Sequence, residues 1–330
     1  MISVGLDVGG TKLLGVAIGQ DGRVLAEERR PTVNDAAGLL DELVEVYRAL
    51  GEEAEASGGG SGRPPLGLGL PGLVDPSGVL TFSPNLSEAS GSDLRGRLAE
   101  RLGPAAPVVQ VDNDATCAAA GESTFGAAGG EKDVLFVTLG TGIGGGIVSG
   151  GKLLRGANNF SGEIGHVVVD PQGPPCGCGR RGCWERYASG TALGRMARDY
   201  ALAGRASHIV ELAGGEADTV RGEHVIAAVA EGDKEAVGIL EEFAGWLALG
   251  LANLAAVLDP RVIVIGGGLV GAGESLLGPT RAAFAGQLEG AKLRPAIEIR
   301  PASLGERGGA VGAAAVAFEA AGVALTPAPQ

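Results

Sequence analysis

Three of the four cysteines, Cys176, Cys178 and Cys183, fall within eight positions of the run HVVVDPQGPPCGCGRRGCWE. His166 opens that run ten residues ahead of the first thiol, and Glu185 closes it two residues after the last. A disulfide would leave one of the three thiols unpaired or reach back to the distant Cys117, and it belongs to an oxidising compartment. Three thiolates and an imidazole instead make a closed tetrahedral Cys₃His set of the kind that holds structural zinc. Gly177, Gly179 and Gly182 would let the chain wrap such an ion. Four protein ligands leave no open position for substrate, so the ion would order the chain rather than act as a Lewis acid. Cys117 sits in NDATC, outside the cluster, and reads as a buried apolar thiol.

Two glycine-rich turns offer a second chemistry. GLDVGGTK, residues 5–12, has the Gly5 and Gly10 spacing of a P-loop but reverses its Lys and Thr. Gly5 also falls inside a strand, which rules a P-loop out. The turn at Gly9, Gly10, Thr11 and Lys12 would instead present backbone N–H groups and a hydroxyl to phosphate oxygens. LGTGIGGG, with Gly140, Thr141 and Gly142, repeats that chemistry. Gly266, Gly267 and Gly268 end a later strand, where a flat adenine ring could approach the backbone. Asp7 stands beside the first turn, placed to hold the water shell of Mg²⁺. Asn113 and Asp114 follow the strand VVQV at a strand-to-helix corner, where Asp114 is placed to cap the helix.

Such turns need strands to carry them. Residues 2–7, 13–18 and 24–27 read as a three-strand meander, and the pattern returns from residue 133, about 130 residues on. Each meander is followed by helices and parallel strands: 66–70 and 108–111 in the first half, 262–265 in the second. A duplicated βββ unit implies two similar α/β domains with a ligand cleft between them. Residues 114–125 and several segments of 189–256 are helical, 52–65 is a solvated loop, and the tail TPAPQ frays.

Composition narrows the partners. With 330 residues and a formal charge of −13, the surface has little to offer nucleic acid, whose affinity rests on Lys and Arg. A small-molecule substrate is expected. The longest apolar stretch, 246–258, is too short to span a bilayer, and the N-terminus lacks the basic segment of an export signal. No membrane partner and a cytoplasmic location follow as expectations.

Together DVGGTK (7–12), LPGLVD (70–75), NDA (113–115), LGTGIGGG (139–146), GEIGH (162–166), CGCGRRGCWE (176–185) and IGGG (265–268) resemble the ROK family of bacterial repressors and sugar kinases. The likeness spans nearly the whole chain and is strongest to the zinc-containing glucokinases. It implies the actin-like ATPase (ribonuclease H-like) fold: a small lobe of residues 1–114 completed by 307–330, and a larger lobe of 115–306 carrying the zinc loop 166–183. It implies ATP-dependent, Mg²⁺-assisted phosphorylation of a hexose, most often at the glucose 6-hydroxyl, with N-acetylmannosamine and fructose as rival substrates, and a homo-oligomer. Asp114 matches the family's general base. Asn85, Asn113, Glu163, His166 and Glu185 match sugar-binding positions, with Asn85 followed by SEASGSDL in place of an early tryptophan. His166 would bind zinc through one ring nitrogen and a sugar hydroxyl through the other. The family's repressors place a DNA-binding domain ahead of these lobes, whereas here the first strand begins at residue 2, which favours the kinase.

Overall fold

The computed structural model describes residues 1–33, 35–58 and 62–326. Most of the expected tail lies outside the described residues. β1 (Ile2–Val8), β2 (Lys12–Gly19) and β3 (Val24–Pro31) form the antiparallel meander, and α1 (Ala36–Ala56) follows. Then come β4 (Leu66–Leu70), β5 (Leu73–Val74), β6 (Val79–Phe82), β7 (Ser92–Asp93), α2 (Leu94–Leu102), β8 (Val109–Asn113) and α3 (Asp114–Thr124). The second half runs β9 (Val134–Leu139), β10 (Ile143–Ser149), β11 (Lys152–Leu153), α4 (Glu185–Ala188), α5 (Gly190–Leu202), α6 (Ser207–Leu212) and α7 (Gly222–Ala230). It closes with α8 (Lys234–Leu258), β12 (Val262–Gly266), α9 (Glu274–Gln287), β13 (Glu298–Pro301) and α10 (Gly308–Ala320).

The duplication is visible in strand order. One five-stranded sheet runs β3-β2-β1-β4-β8 and the other β11-β10-β9-β12-β13, each a meander extended by two later strands. In the first sheet β1 pairs parallel with β4, and β4 with β8. β5, β6 and β7 make a small separate sheet. The described residues group into two compact units: Met1–Phe136, Gly146–Gly162 and Ala302–Gln330 in one, Val137–Gly145 and Glu163–Pro301 in the other. The first unit thus takes in α3 as well as residues 1–114, with 146–162 and the C-terminal helix.

Periodicity explains the elements. α1 turns Leu39, Leu40, Leu43, Val44, Val46, Tyr47, Leu50 and Ala54 inward at helical spacing, and each fully buried leucine contributes about 1.5–3 kcal/mol. Asp35 caps it, accepting from the Gly38 N–H at 2.7 Å. The helix continues to Ala56, so the first residues of the expected 52–65 loop are helical. α8 is long and apolar enough to cross a membrane by length and composition. Its Ile239, Leu240, Phe243, Leu247 and Leu251 are instead buried against protein, as in a core helix.

One contact does most to place the site in the first unit. The small-residue helix α10 packs on both β1 and α3. A Cβ on Gly5 would overlap the Ala310 carbonyl, and one on Gly312 would overlap the Cys117 carbonyl. Both glycines exist to let backbones approach. Gly5 is therefore a packing residue within β1, in keeping with the rejection of a P-loop.

Candidate functional site

The cysteine segment folds as a miniature hairpin in the second unit. Isolated bridges join Val168 to Cys183 and Pro175 to Arg181. The Cys176 N–H donates to Arg180 O at 2.8 Å, and the Trp184 N–H to Val167 O at 2.8 Å. Gly182, at φ +67°, faces the Asp170 carbonyl so closely that no side chain fits. This backbone gathers His166, Cys176, Cys178 and Cys183 so that one ligand atom of each lies within 4.8 Å of the others.

The spacing discriminates between the two chemistries. Cys178 Sγ is 3.5 Å from Cys183 Sγ, and Cys176 Sγ is 3.6 Å from His166 Nδ1. Tetrahedral zinc with bonds of about 2.3 Å puts sulfurs roughly 3.8 Å apart, whereas a disulfide needs about 2.05 Å. The four residues fit zinc, and all four cysteines are free thiols. Cys117 is buried, as expected of an apolar thiol, and burial pushes its pKa well up.

Two carboxylates flank this centre. His166 turns Nδ1 to the thiols and Nε2 toward Glu163 Oε2, at 3.8 Å. Burial raises the Glu163 pKa, with His166 opposing and Glu185 adding to the rise. Glu185 is carried in by Trp184, fully buried, whose Nε1 donates to Trp246 O at 2.9 Å. Its Oε1 is 3.0 Å from Cys176 Sγ and 3.6 Å from His166 Nδ1. Glu163 and Glu185 thus meet opposite nitrogens of one imidazole. A Cβ on Gly142 would lie 2.7 Å from Glu185 Oε2, so the second glycine turn and the cysteine loop adjoin.

The first unit holds the other carboxylates. Asn113, not Asp114, caps α3: its Oδ1 accepts from the Thr116 N–H at 3.0 Å while its Nδ2 donates to Gly72 O at 3.1 Å. This corrects the expectation that Asp114 is the cap. The reason is one of register, since the helix begins one residue earlier than a capping Asp114 requires. Asp114 is the first helical residue, its carboxylate accepting from the Ala115 N–H at 2.8 Å. Asp7, at the end of β1, has its pKa pushed up to about 7 by burial and by the charge of Asp114, against the pull of Lys12. Gly309 of α10 is pressed against the Asp7 carboxyl.

The first turn is more self-satisfied than expected. The Gly9 N–H donates to Lys12 O at 2.8 Å, so it serves the hairpin. Gly10 and Thr11 are exposed, and Asn85 lies beside Gly10, 3.5 Å from where a Cβ would be. Lys12 Nζ pairs with Glu306 at 3.2 Å.

A cavity of about 750 Å³ opens in the second unit. Gly140, Thr141 and Gly268 line one side; α5 supplies Thr191 and Gly194 on the other, with Glu223 of α7 and Arg221, which precedes that helix. Gly190 N–H donates to Gly140 O at 2.8 Å and Thr191 Oγ1 to Thr141 O at 2.7 Å, bracing the turn. Gly267, at φ +86°, instead packs on the Leu139 backbone, and Gly266 ends β12. The helical wall escaped the sequence reading. Its one signal was the Gly190–Gly194 pair, small residues four apart on one helix face.

The defining pattern of the ROK family matches residues 3–320. The chain belongs to the ROK family. The glucokinase of Streptomyces coelicolor is 37% identical over 323 residues, 96% of this chain and 98% of that protein. The N-acetyl-D-glucosamine kinase of Yersinia pseudotuberculosis is 34% identical over 80% of this chain and 83% of its own length. Among solved structures, a ROK family glucokinase from Streptomyces griseus, crystallised with glucose and AMPPNP, superimposes with a TM-score of 0.83. It shares 38% identity and covers 97% of this chain and 100% of its own. The fold is the actin-like ATPase fold.

Proposed function

We propose that this ROK protein is an ATP-dependent hexose kinase that transfers the γ-phosphoryl group to the 6-hydroxyl of glucose. The observation that carries this is full-length similarity to a glucokinase solved with glucose and an ATP analogue, in a chain with a fitted Cys₃His centre beside two carboxylates.

A sugar hydroxyl is a poor nucleophile, and Asp114 is assigned as the base that takes its proton as phosphoryl transfer proceeds. Asn113 supports this assignment by making the helix cap itself. Asn85, Asn113, Asp114, Glu163, His166 and Glu185 are assigned to the sugar, whose rim of hydroxyls calls for paired donors and acceptors. Loss of one such hydroxyl would cost about 10⁴–10⁵ in discrimination. The nucleotide is assigned to the cavity bounded by Gly140, Thr141 and Gly268, and its phosphates to the turns at Gly9–Lys12 and Gly140–Gly142. Bound with ATP, Mg²⁺ would neutralise charge on the phosphates, its water shell held by Asp7. Zinc would hold His166 in one tautomer and direction, Nδ1 to the ion and Nε2 outward.

A second reading is an N-acetylhexosamine kinase, favoured by the 34% identity to the Yersinia enzyme. A coupled ADP-release assay with glucose, N-acetylglucosamine, N-acetylmannosamine and fructose, each with ATP and with polyphosphate, separates the readings. Glucose with ATP should give the highest kcat/KM; absence of turnover with every sugar refutes the proposal. Size-exclusion chromatography with light scattering tests the homo-oligomer that goes with it.

A further inference from the structure

Asp112 is a buried charge that the reaction scheme leaves unused. Its side chain is 2% exposed, yet its carboxylate makes three polar contacts within the first unit. Oδ2 accepts from Arg155 Nε at 2.7 Å; Oδ1 accepts from Asn159 Nδ2 at 3.2 Å and from the Asn113 N–H at 3.0 Å. A carboxylate this deep costs several kcal/mol to desolvate and persists only when its partners are well placed.

Those partners belong to segments far apart in sequence. Arg155 and Asn159 lie on the loop after β11, which closes on itself as the Ser161 N–H donates to Arg155 O at 3.1 Å. Asn159 holds φ +63°, a left-handed conformation that a non-glycine residue adopts at a cost. Its Nδ2 also donates to Val74 O at 3.1 Å, and Asn113 Nδ2 donates to Gly72 O. Residues 72–74, the β8–α3 corner and the 155–161 loop are therefore joined around one carboxylate. The corner carries Asn113 and Asp114; the loop runs through Gly162 directly into Glu163 and His166.

We propose that Asp112 is a positioning residue for the sugar, acting through Arg155 and Asn159 to fix the corner that bears Asn113 and Asp114. It touches no substrate itself. Rigid placement of binding groups is worth orders of magnitude when a displacement of about 1 Å costs roughly 10²-fold. The inference rests on the hexose-kinase reading above.

Three variants test it: Asp112→Asn, Arg155→Met and the two combined. Each single change leaves a charge or a polar group without its partner and should lower stability, whereas the double variant removes the whole ion pair and should recover much of the loss. If Asp112 positions the sugar site, all three raise the KM for the preferred hexose at least about tenfold and leave the KM for ATP within about twofold. The double variant then keeps the raised sugar KM despite its recovered melting temperature. A double variant with wild-type sugar KM, or equal rises in both KM values, would overturn the proposal. Hydrogen exchange gives a readout independent of turnover: amides of 155–162 should exchange faster in all three variants, and unchanged protection there refutes the anchoring for any substrate. A wild-type chain that phosphorylates no sugar refutes the kinase reading instead, and leaves the exchange result to decide the anchor.

Discussion

Replacing Asp7 by asparagine should make the nucleotide-free protein more stable above neutral pH while it destroys turnover. Asp7 sits half-buried at the end of β1, and burial together with the charge of Asp114 raises its pKa from 3.8 to about 7. At about 1.36 kcal/mol per pH unit, that gap makes ionising Asp7 cost the folded chain roughly 4 kcal/mol. Partial exposure screens the charge, so the measurable effect is roughly 2–3 kcal/mol. Because the folded state holds the proton more tightly than the unfolded state, the stabilisation is complete below about pH 4 and is lost as pH rises through about 7. The amide has the same shape and no charge to desolvate. Urea denaturation of wild type and Asp7→Asn, free of Mg²⁺ and nucleotide, should therefore give a difference that grows from pH 5 to pH 8 in favour of the variant. Mg²⁺-ATP should stabilise the wild type and not the variant. Parallel stability curves across that pH range, or a variant less stable at pH 8, would refute the account of Asp7 as a strained carboxylate kept for a cation.

Three further outcomes are expected. Asp114→Asn should lower kcat by about 10²–10⁴-fold while calorimetry shows sugar binding largely retained; weak binding with near-normal turnover would make Asp114 a binding residue only. Wild-type protein should carry about one zinc per chain by metal analysis, and Cys178→Ala or Cys183→Ala should release it together with sugar phosphorylation; a metal-free, fully active protein counts against the centre. Gly312→Ala, which drives a methyl into the Cys117 carbonyl, should destabilise by about 1–3 kcal/mol in chemical denaturation, and an unchanged midpoint would show that α10 and α3 can separate at no cost.

Local spacing made much of this protein legible from its residues alone. The Cys₃His centre was readable because its ligands lie on one short hairpin, where glycines at fixed offsets determine how the chain returns. The two meanders were readable because apolar runs and glycine turns repeat, and the sheets share one strand order. Tertiary structure decided whatever depends on register or on partners distant in sequence. Asn113 and Asp114 are equally good caps by residue type, and only the starting point of α3 makes Asn113 the cap. Arg155 reaches Asp112 across 43 residues, and nothing in either local sequence announces the partnership. Nor does glycine content reveal that Gly5 and Gly312 admit α10 while Gly140 and Gly268 bound a cavity. Glycine supplies close approach in each case, and what approaches, a helix backbone or open space for a ligand, is set by packing between segments that the chain brings together only when it folds.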